Sequence, residues 1–533
     1  MKGKRYLTLL LTILCSQVIG QFTWTTPTTI SALGSNATEP HIGIDASGNA
    51  VAAWIEGTVV KAKRLPIGGS WTSASTLSGS GATSLRLIMD RNGNSAAIWL
   101  EGGVVRASSQ ASGGSWSAAT SLSGSGTATS PAMNVDTTGN VVAVWVQTST
   151  LSVVSLQSST KLNGGNWQAI PDTISGSTST PSSPSVSIGA NGTVVAVWHA
   201  VSGTNDTINS AIKTISGGVW GTPLAFFAAN ATFKHNYPKV IVDANGNAHA
   251  VWWRFSQTGT TYSSAQLIAS QLPLGSPSWA LASILSPTPS LKNPANLPTR
   301  LQVDSIGNVV AFWVSSYDGQ TYNVEASSRL FGGNWSSFSQ IISPFNLYGF
   351  DADCSVSSAG DALGVFMAYD GSSINIQDVH SSIANPFFLT WSTPETISQG
   401  ARNSTPRVAS SLANTTINAC AVWLNDNGSN NVIQASTATG SAVLPPSGLM
   451  VSQSSNGFGV FTDYYNTITW TASADPNIYL YLIYRNGFYI GAVDAGTLQF
   501  VDHNAIQSGA VTYGVTAYTF DNTQSAIVNV SFP

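Results

Sequence analysis

Charged side chains are scarce in this chain: Asp, Glu, Lys and Arg make up 8% of its 533 residues, against roughly 25% in an ordinary soluble protein. The surface is therefore neutral and rich in hydroxyls and amides. With a formal charge of −4 it lacks the basic footprint that nucleic acid or an anionic membrane requires, so neither is expected as a partner. Cysteine is just as sparse. Beyond the N-terminal segment only Cys354 and Cys420 remain, too few for a disulfide scaffold, and both are expected as core thiols. No apolar run after residue 20 approaches the length that spans a bilayer. Ser/His/Asp, zinc and phosphate-loop signatures are also missing, and no cofactor or metal is expected.

The first 20 residues read as a secretory signal. Lys2, Lys4 and Arg5 precede an apolar run from Tyr6 to Leu14, and Val18-Ile19-Gly20 ends on a small residue before Gln21. Its removal takes the formal charge to −7. The expected location is extracellular or at a bacterial cell surface, with periplasm or outer-membrane association left open.

What the chain has in abundance is tryptophan, 17 residues, and these are placed periodically. Asp45-Ala-Ser-Gly48-Asn49-Ala-Val-Ala-Ala-Trp54 recurs with Trp99, Trp145, Trp198, Trp252, Trp313, Phe366 and Trp423 in the last place. Each copy alternates apolar residues on both sides of a turn, the pattern of a β-hairpin, with glycine where the turn needs positive φ. A second series, Trp24, Trp71, Trp116, Trp167, Trp220, Trp279, Trp335 and Trp391, opens a short outer strand. A third strand between the two brings each period to four. The spacing predicts an all-β, eight-bladed β-propeller over residues 21–441, whose ring is closed by the N-terminal outer strand around Trp24. A monomer is expected.

After Ala442-Val-Leu-Pro-Pro446 the repeat stops. A linker over 442–448 is expected, then a β-sandwich over 449–533. Thr467-Ile-Thr-Trp470, Tyr479-Leu-Tyr-Leu-Ile-Tyr484-Arg-Asn-Gly487 and Val511-Thr-Tyr513-Gly-Val515-Thr-Ala517-Tyr518 resemble the core-Trp strand, its neighbour and the Tyr-bearing later strand of a fibronectin type III domain, an immunoglobulin-like fold. The resemblance implies a spacer or docking module.

Function is sought where the repeat varies. The connections Ile55-Glu-Gly-Thr58 and Leu100-Glu-Gly-Gly103 are minimal, whereas those of blades five to seven are long and aromatic. Candidate ligand-binding residues there are Lys234, His235, Tyr237, Trp253, Arg254, Tyr317, Tyr322, Tyr348, Phe350 and Tyr369. A second candidate set lies four residues before the turn acid or its equivalent, at the start of each innermost strand. It comprises His41, Arg86, Lys239, Arg300, Asp353 and Arg407, with Ala132 and Ser185 in the two remaining copies. Cations converging on one axis suit an anion, and equally suit a solvated channel lining. The acids that would accompany them in an enzyme are Asp318, Asp351 and Asp353.

The turns Gly-Gly-Ser-Trp71, Gly-Gly-Ser-Trp116, Gly-Gly-Asn-Trp167 and Gly-Gly-Asn-Trp335 resemble the end of the Asp-box repeat of sialidase-type propellers, in which inner-strand arginines hold a carboxylate. Pro66, Ala111, Leu162 and Leu330 stand where that repeat has its Asp, and no nucleophile–acid pair is assignable. The leading expectation is a non-catalytic, adhesion-type protein engaging a glycan or protein at a cell surface through blades five to seven. The alternative is a divergent glycan-active hydrolase or lyase working at the axis.

Overall fold

The computed structural model describes residues 22–532 except 177–178, 204, 229–232, 260, 287, 306, 320, 337–338, 344–347, 359, 370–376, 386–389, 400–401, 414–415, 442, 459–460, 504–509, 520–524 and 526. The signal-peptide reading of residues 1–20 lies outside the described residues. The chain is all-β, with one 3-10 turn at Pro294–Asn296 and no α-helix among the described residues.

Up to Ser441 the strands form repeated, antiparallel four- and five-stranded sheets in a propeller-like layout, eight among the described residues. In chain order their innermost strands are Ala37–Ile44, Ala82–Met89, Thr127–Val135, Thr180–Ile188, Lys234–Val242, Thr299–Val303, Tyr348–Val356 and Asn403–Ala413. Each of these strands packs against the next, and the last packs against the first. Two short N-terminal strands pair with Asn431–Ser441 of the last sheet, Trp24 opposite Ala438 and Thr28 opposite Ala435. An outer edge that would otherwise stand open is covered in this way.

Tryptophan fills the space between sheets. Trp54, Trp99, Trp145, Trp198, Trp252, Trp313 and Trp423 are at most 1% exposed. The outer series bridges neighbours: Trp220 Nε1 donates to Ser158 Oγ at 2.8 Å, and Trp279 Nε1 to Ser210 Oγ at 2.9 Å. Alanine two residues before the hairpin Trp leaves room for the adjoining sheet. In the seventh sheet that residue is Gly364, where a Cβ would lie 2.7 Å from the Phe312 ring; alanine is replaced by glycine because Phe312 occupies its place.

The repeated turn is a clamp. Asp45 Oδ1 accepts from the Ser47 and Asn49 amides and Oδ2 from Asn49 Nδ2, while Asn49 Oδ1 accepts from the Ile67 amide of the turn before Trp71. The same bonds recur at Asp90, Asp136 and Asp243. The acid's lone pairs are thus committed to amides of its own turn. Both cysteines are buried free thiols.

From Ser447 on, strands form one three-stranded and one four-stranded sheet over a common core that includes Ile468, Trp470, Tyr481, Ile483, Tyr513 and Val515. Tyr513 Oη donates to Asp502 Oδ2 at 2.6 Å and accepts from Asn466 Nδ2 at 3.0 Å, and Arg485 pairs with the same Asp502 at 2.8 Å. No helix among the described residues is long and apolar enough to cross a membrane.

Candidate functional site

The innermost strands do not enter the axis straight. Seven of the eight shift register near their start, as between Thr38 and His41, Thr83 and Arg86, Asn236 and Lys239, and Ser404 and Arg407. The inserted residue is left-handed: Glu39, Ser84, Ser130, Ser183, Tyr237, Asp351 or Thr405, with φ between 44° and 57°. Proline follows five of them, at Pro40, Pro131, Pro184, Pro238 and Pro406, because a bulge has no ladder bond for its missing N–H to make. Such a bulge re-aims the side chains beyond it, and here they line a cavity of about 1410 Å³ bounded by seven innermost strands.

His41, Arg86, Lys239, Arg300, Asp353 and Arg407 all border this cavity, together with Glu39 and Asp351. The acids are not free. Asp353 Oδ1 accepts from Arg300 Nε at 2.5 Å and its Oδ2 from the Val408 amide at 3.1 Å. Asp351 lies 3.6 Å from Arg407, and Glu39 accepts from the Ser84 and Leu85 amides. Arg86 Nη1 donates to the carbonyl of Leu85 at 2.7 Å, and neither Arg86 nor Lys239 has an ion-pair partner among the described residues. Burial, followed by the charges of Arg86, Arg407 and Arg300, holds His41 well below the ordinary imidazole range, so it is neutral at pH 7. Burial also disfavours the charge of Arg300, but Asp353 outweighs it and raises that pKa. Lys239 has no such compensation: burial, Arg300 and Arg86 together lower it to about 8.

Three candidates from the long connections join the same cavity. Tyr322, Phe350 and Tyr369 line it, with Phe350 6.3 Å from Tyr322 and 5.9 Å from Tyr369 between ring centroids. The Lys292 ammonium sits 5.4 Å from the Tyr322 ring. Rim and axis, separate in sequence, are thus one place. Glu39 was not singled out by sequence; the signal for it was the acid immediately before the proline of the bulge.

The other candidates whose side chains are described do not line this cavity, and several are corrected. Trp253 is 0% exposed, with its Nε1 donating to Thr299 Oγ1 at 3.0 Å. It is core, because both faces of a sheet in this layout meet a neighbouring sheet. His235 is buried and accepts from Trp252 Nε1 at 3.2 Å, and burial brings its pKa down to about 4. Tyr317 donates its hydroxyl to the fully buried Glu325, which also takes hydrogen bonds from Ser315 and Ser339. Burial and that carboxylate raise the Tyr317 pKa far above the usual phenol value. Arg254 bonds Gln266 and lies over Phe233. Tyr237 is half-buried as the fifth sheet's bulge residue, and burial raises its pKa. Lys234 is exposed, and Asp318 is spent on Thr321. Tyr348 opens the innermost strand of the seventh sheet opposite Tyr369, but its side chain lies outside the described residues.

No family model matches the chain, and no curated protein does. Among solved structures, the polysaccharide lyase Uly1 is similar at 9% identity and a TM-score of 0.45, covering 64% of this chain and 90% of that one. The Hadza microbial sialidase Hz136 is similar at 9% and 0.34, covering 80% and 97%. The α-L-arabinanase of Penicillium chrysogenum is similar at 12% and 0.34, covering 58% and 92%. Scores this low transfer no activity to the chain.

Proposed function

We propose that this is an exported protein that binds an acidic glycan in the axial cavity of an eight-bladed β-propeller spanning residues 21–441. A fibronectin type III-like module over 449–533, beyond a linker at 442–448, serves as spacer or docking unit. The observation that carries the reading is that Tyr322, Phe350 and Tyr369 line the same cavity as Arg86, Lys239, Arg300 and Arg407. Aromatic rings supply flat apolar platforms for sugar faces, and guanidinium groups take carboxylates or sulfates bidentately. Four cations against three carboxylates leave the cavity positive in a chain that is otherwise mildly acidic, a local field that attracts an anion. The ligand is expected at a cell surface, and the protein is expected to be a monomer.

Calorimetry with acidic and neutral oligosaccharides of equal length tests the reading. Acidic ones bind, and added salt weakens them. Equal affinity for neutral sugars, or no binding of any acidic one, overturns it. Chemistry on the glycan is the second reading, and the unpaired Lys239 favours it.

A further inference from the structure

We propose that the axial cavity cleaves a uronate-containing glycan by β-elimination, with Lys239 as the base that removes the proton next to the uronate carboxylate. The proposal rests on the acidic-glycan reading and adds a reaction to it.

Hydrolysis of a glycoside canonically uses two carboxyl groups free to act as acid and as base or nucleophile. This cavity has three, and each is engaged: Asp353 by Arg300 and the Val408 amide, Asp351 by Arg407, and Glu39 by two amides. Elimination needs something else, namely a cation on the carboxylate, a base that is partly unprotonated near neutrality and a donor for the leaving oxygen. The cavity holds one of each without such engagement.

Lys239 lies on the innermost strand of the fifth sheet, half-buried in the cavity wall. Its ammonium makes no hydrogen bond or ion pair among the described residues. The charges that act on it are Arg300 and Arg86, and with burial they bring its pKa to about 8. Asp353, which borders the same cavity, is held by Arg300. The other ionisable groups on elements packed against its strand are committed elsewhere: His199 lies by Asp206, Lys213 by Asp172, His249 by Asp243, and Arg254 bonds Gln266. On its own strand His235 is bonded to Trp252, Tyr237 forms the bulge and Lys234 is exposed. The amine is therefore available at mildly alkaline pH.

Arg86 is the cation for the carboxylate. Its guanidinium bonds the Leu85 carbonyl and forms no direct ion pair among the described residues; burial lowers its pKa, and the Glu39 carboxylate opposes that from beyond ion-pair distance. Neutralising a carboxylate acidifies the adjacent C–H. Tyr322 borders the same cavity and supplies the hydroxyl. In the step, Lys239 Nζ takes the proton from C5. The C5–H electron pair becomes the C4–C5 double bond, the C4–O bond breaks, and the leaving oxygen takes the Tyr322 proton. Water then returns a proton to the tyrosine and removes one from the lysine, so no oxidant or cofactor enters.

The test incubates the purified protein separately with polygalacturonate, alginate and a glycosaminoglycan. Ultraviolet absorbance of the unsaturated uronate is followed, and binding of the matching oligosaccharides is measured by calorimetry on the same preparation. At least one polymer yields unsaturated product, with turnover rising toward a plateau as pH passes about 8. Lys239→Arg keeps the charge and lacks the base. It retains binding within a few-fold and an unchanged melting curve, and loses roughly 100-fold or more in turnover; Lys239→Met repeats the loss. Binding without unsaturated product, a saturated product, or turnover retained by both variants overturns the proposal while leaving the glycan reading intact. Absence of binding by all acidic oligosaccharides overturns both.

Discussion

The two ends of the axial channel are built from the same innermost strands and differ completely. At the end where those strands finish, Ile44, Val135, Ile188, Val242, Val303 and Val356 surround an opening of about 530 Å³ together with turn residues such as Asp45, Asp136 and Asp304. Isoleucine or valine stands at that position in six of the eight sheets, with Met89 and Ser410 in the other two. At the end where the strands begin, equivalent positions carry His41, Arg86, Ala132, Ser185, Lys239, Arg300, Asp353 and Arg407, and the cavity is more than twice as large. The first end repeats because five of the sheets share the Asp turn clamp, at Asp45, Asp90, Asp136, Asp243 and Asp304, and all share the same packing. The second varies, as the proposed function requires, since a ligand does not share the symmetry of the repeat. Departure from the repeat, more than any single motif, is what the proposed function takes as the mark of its site.

Both ends depend on a closed ring, and breaking closure has the largest expected effect. Removing residues 22–32 deletes both N-terminal strands and the buried Phe22 and Ile30. The loss is expected to exceed the roughly 3–5 kcal/mol of a single large core truncation, read as a lower melting temperature of the whole repeat region. An unchanged melt would show that the last sheet does not need its fourth strand.

The next largest effect belongs to the repeated end. Asp304 accepts from the Gly307 and Asn308 amides and from Asn308 Nδ2, so Asp304→Ala should cost about 2–3 kcal/mol of stability through unsatisfied buried donors, with ligand affinity unchanged. Denaturant titration and calorimetry separate the two. The varied end should behave in the opposite way. Arg86→Gln and Phe350→Ala should each weaken acidic-glycan binding by about 1–3 kcal/mol. The melting temperature holds or rises for Arg86→Gln as mutual repulsion among the cations falls, and drops modestly for Phe350→Ala, which loses its ring contacts with Tyr322 and Tyr369. If Asp304→Ala alters affinity and these two do not, the functional end has been misassigned.

A pH-dependent effect tests an exception within the repeated end. The seventh sheet inverts the clamp, with Ser357 in the position of the acid and Asp361 in that of the amide. Asp361 receives only Ser357 Oγ at 3.2 Å from the partner position, and burial raises its pKa from 3.8 to about 6. The folded chain therefore retains a proton that the unfolded chain releases above 3.8, and stability declines as pH rises from about 4 to about 6. Asp361→Asn should raise the melting temperature at pH 8 and leave it unchanged at pH 4. A shift of equal size at both values would rule out this titration.

Much of this was legible in the chain. The spacing of seven tryptophans and Phe366 located the hairpins, since a ring that must fill the gap between sheets recurs wherever the gap does. The four-residue offset from the turn acid found the axial cations, because strand length is fixed by the common clamp. Alternation misled at Trp253: adjacent Trp252 and Trp253 point to opposite faces, and a reader expects one of them outside. Both are buried, since each face of a sheet here is covered by its neighbour.

By itself, then, the sequence determined the all-β character, the repeated hairpins, the turn chemistry and which positions escape the repeat, all consequences of local periodicity. Only tertiary structure decided that Tyr322, Phe350 and Tyr369 share a cavity with Arg86 and Lys239, that Tyr317 belongs to Glu325, and that Lys239 stands unpaired while Arg300 does not. Those facts depend on where bulged strands from different sheets converge. Residues more than 200 positions apart meet at the axis, and no local pattern encodes the distance between them.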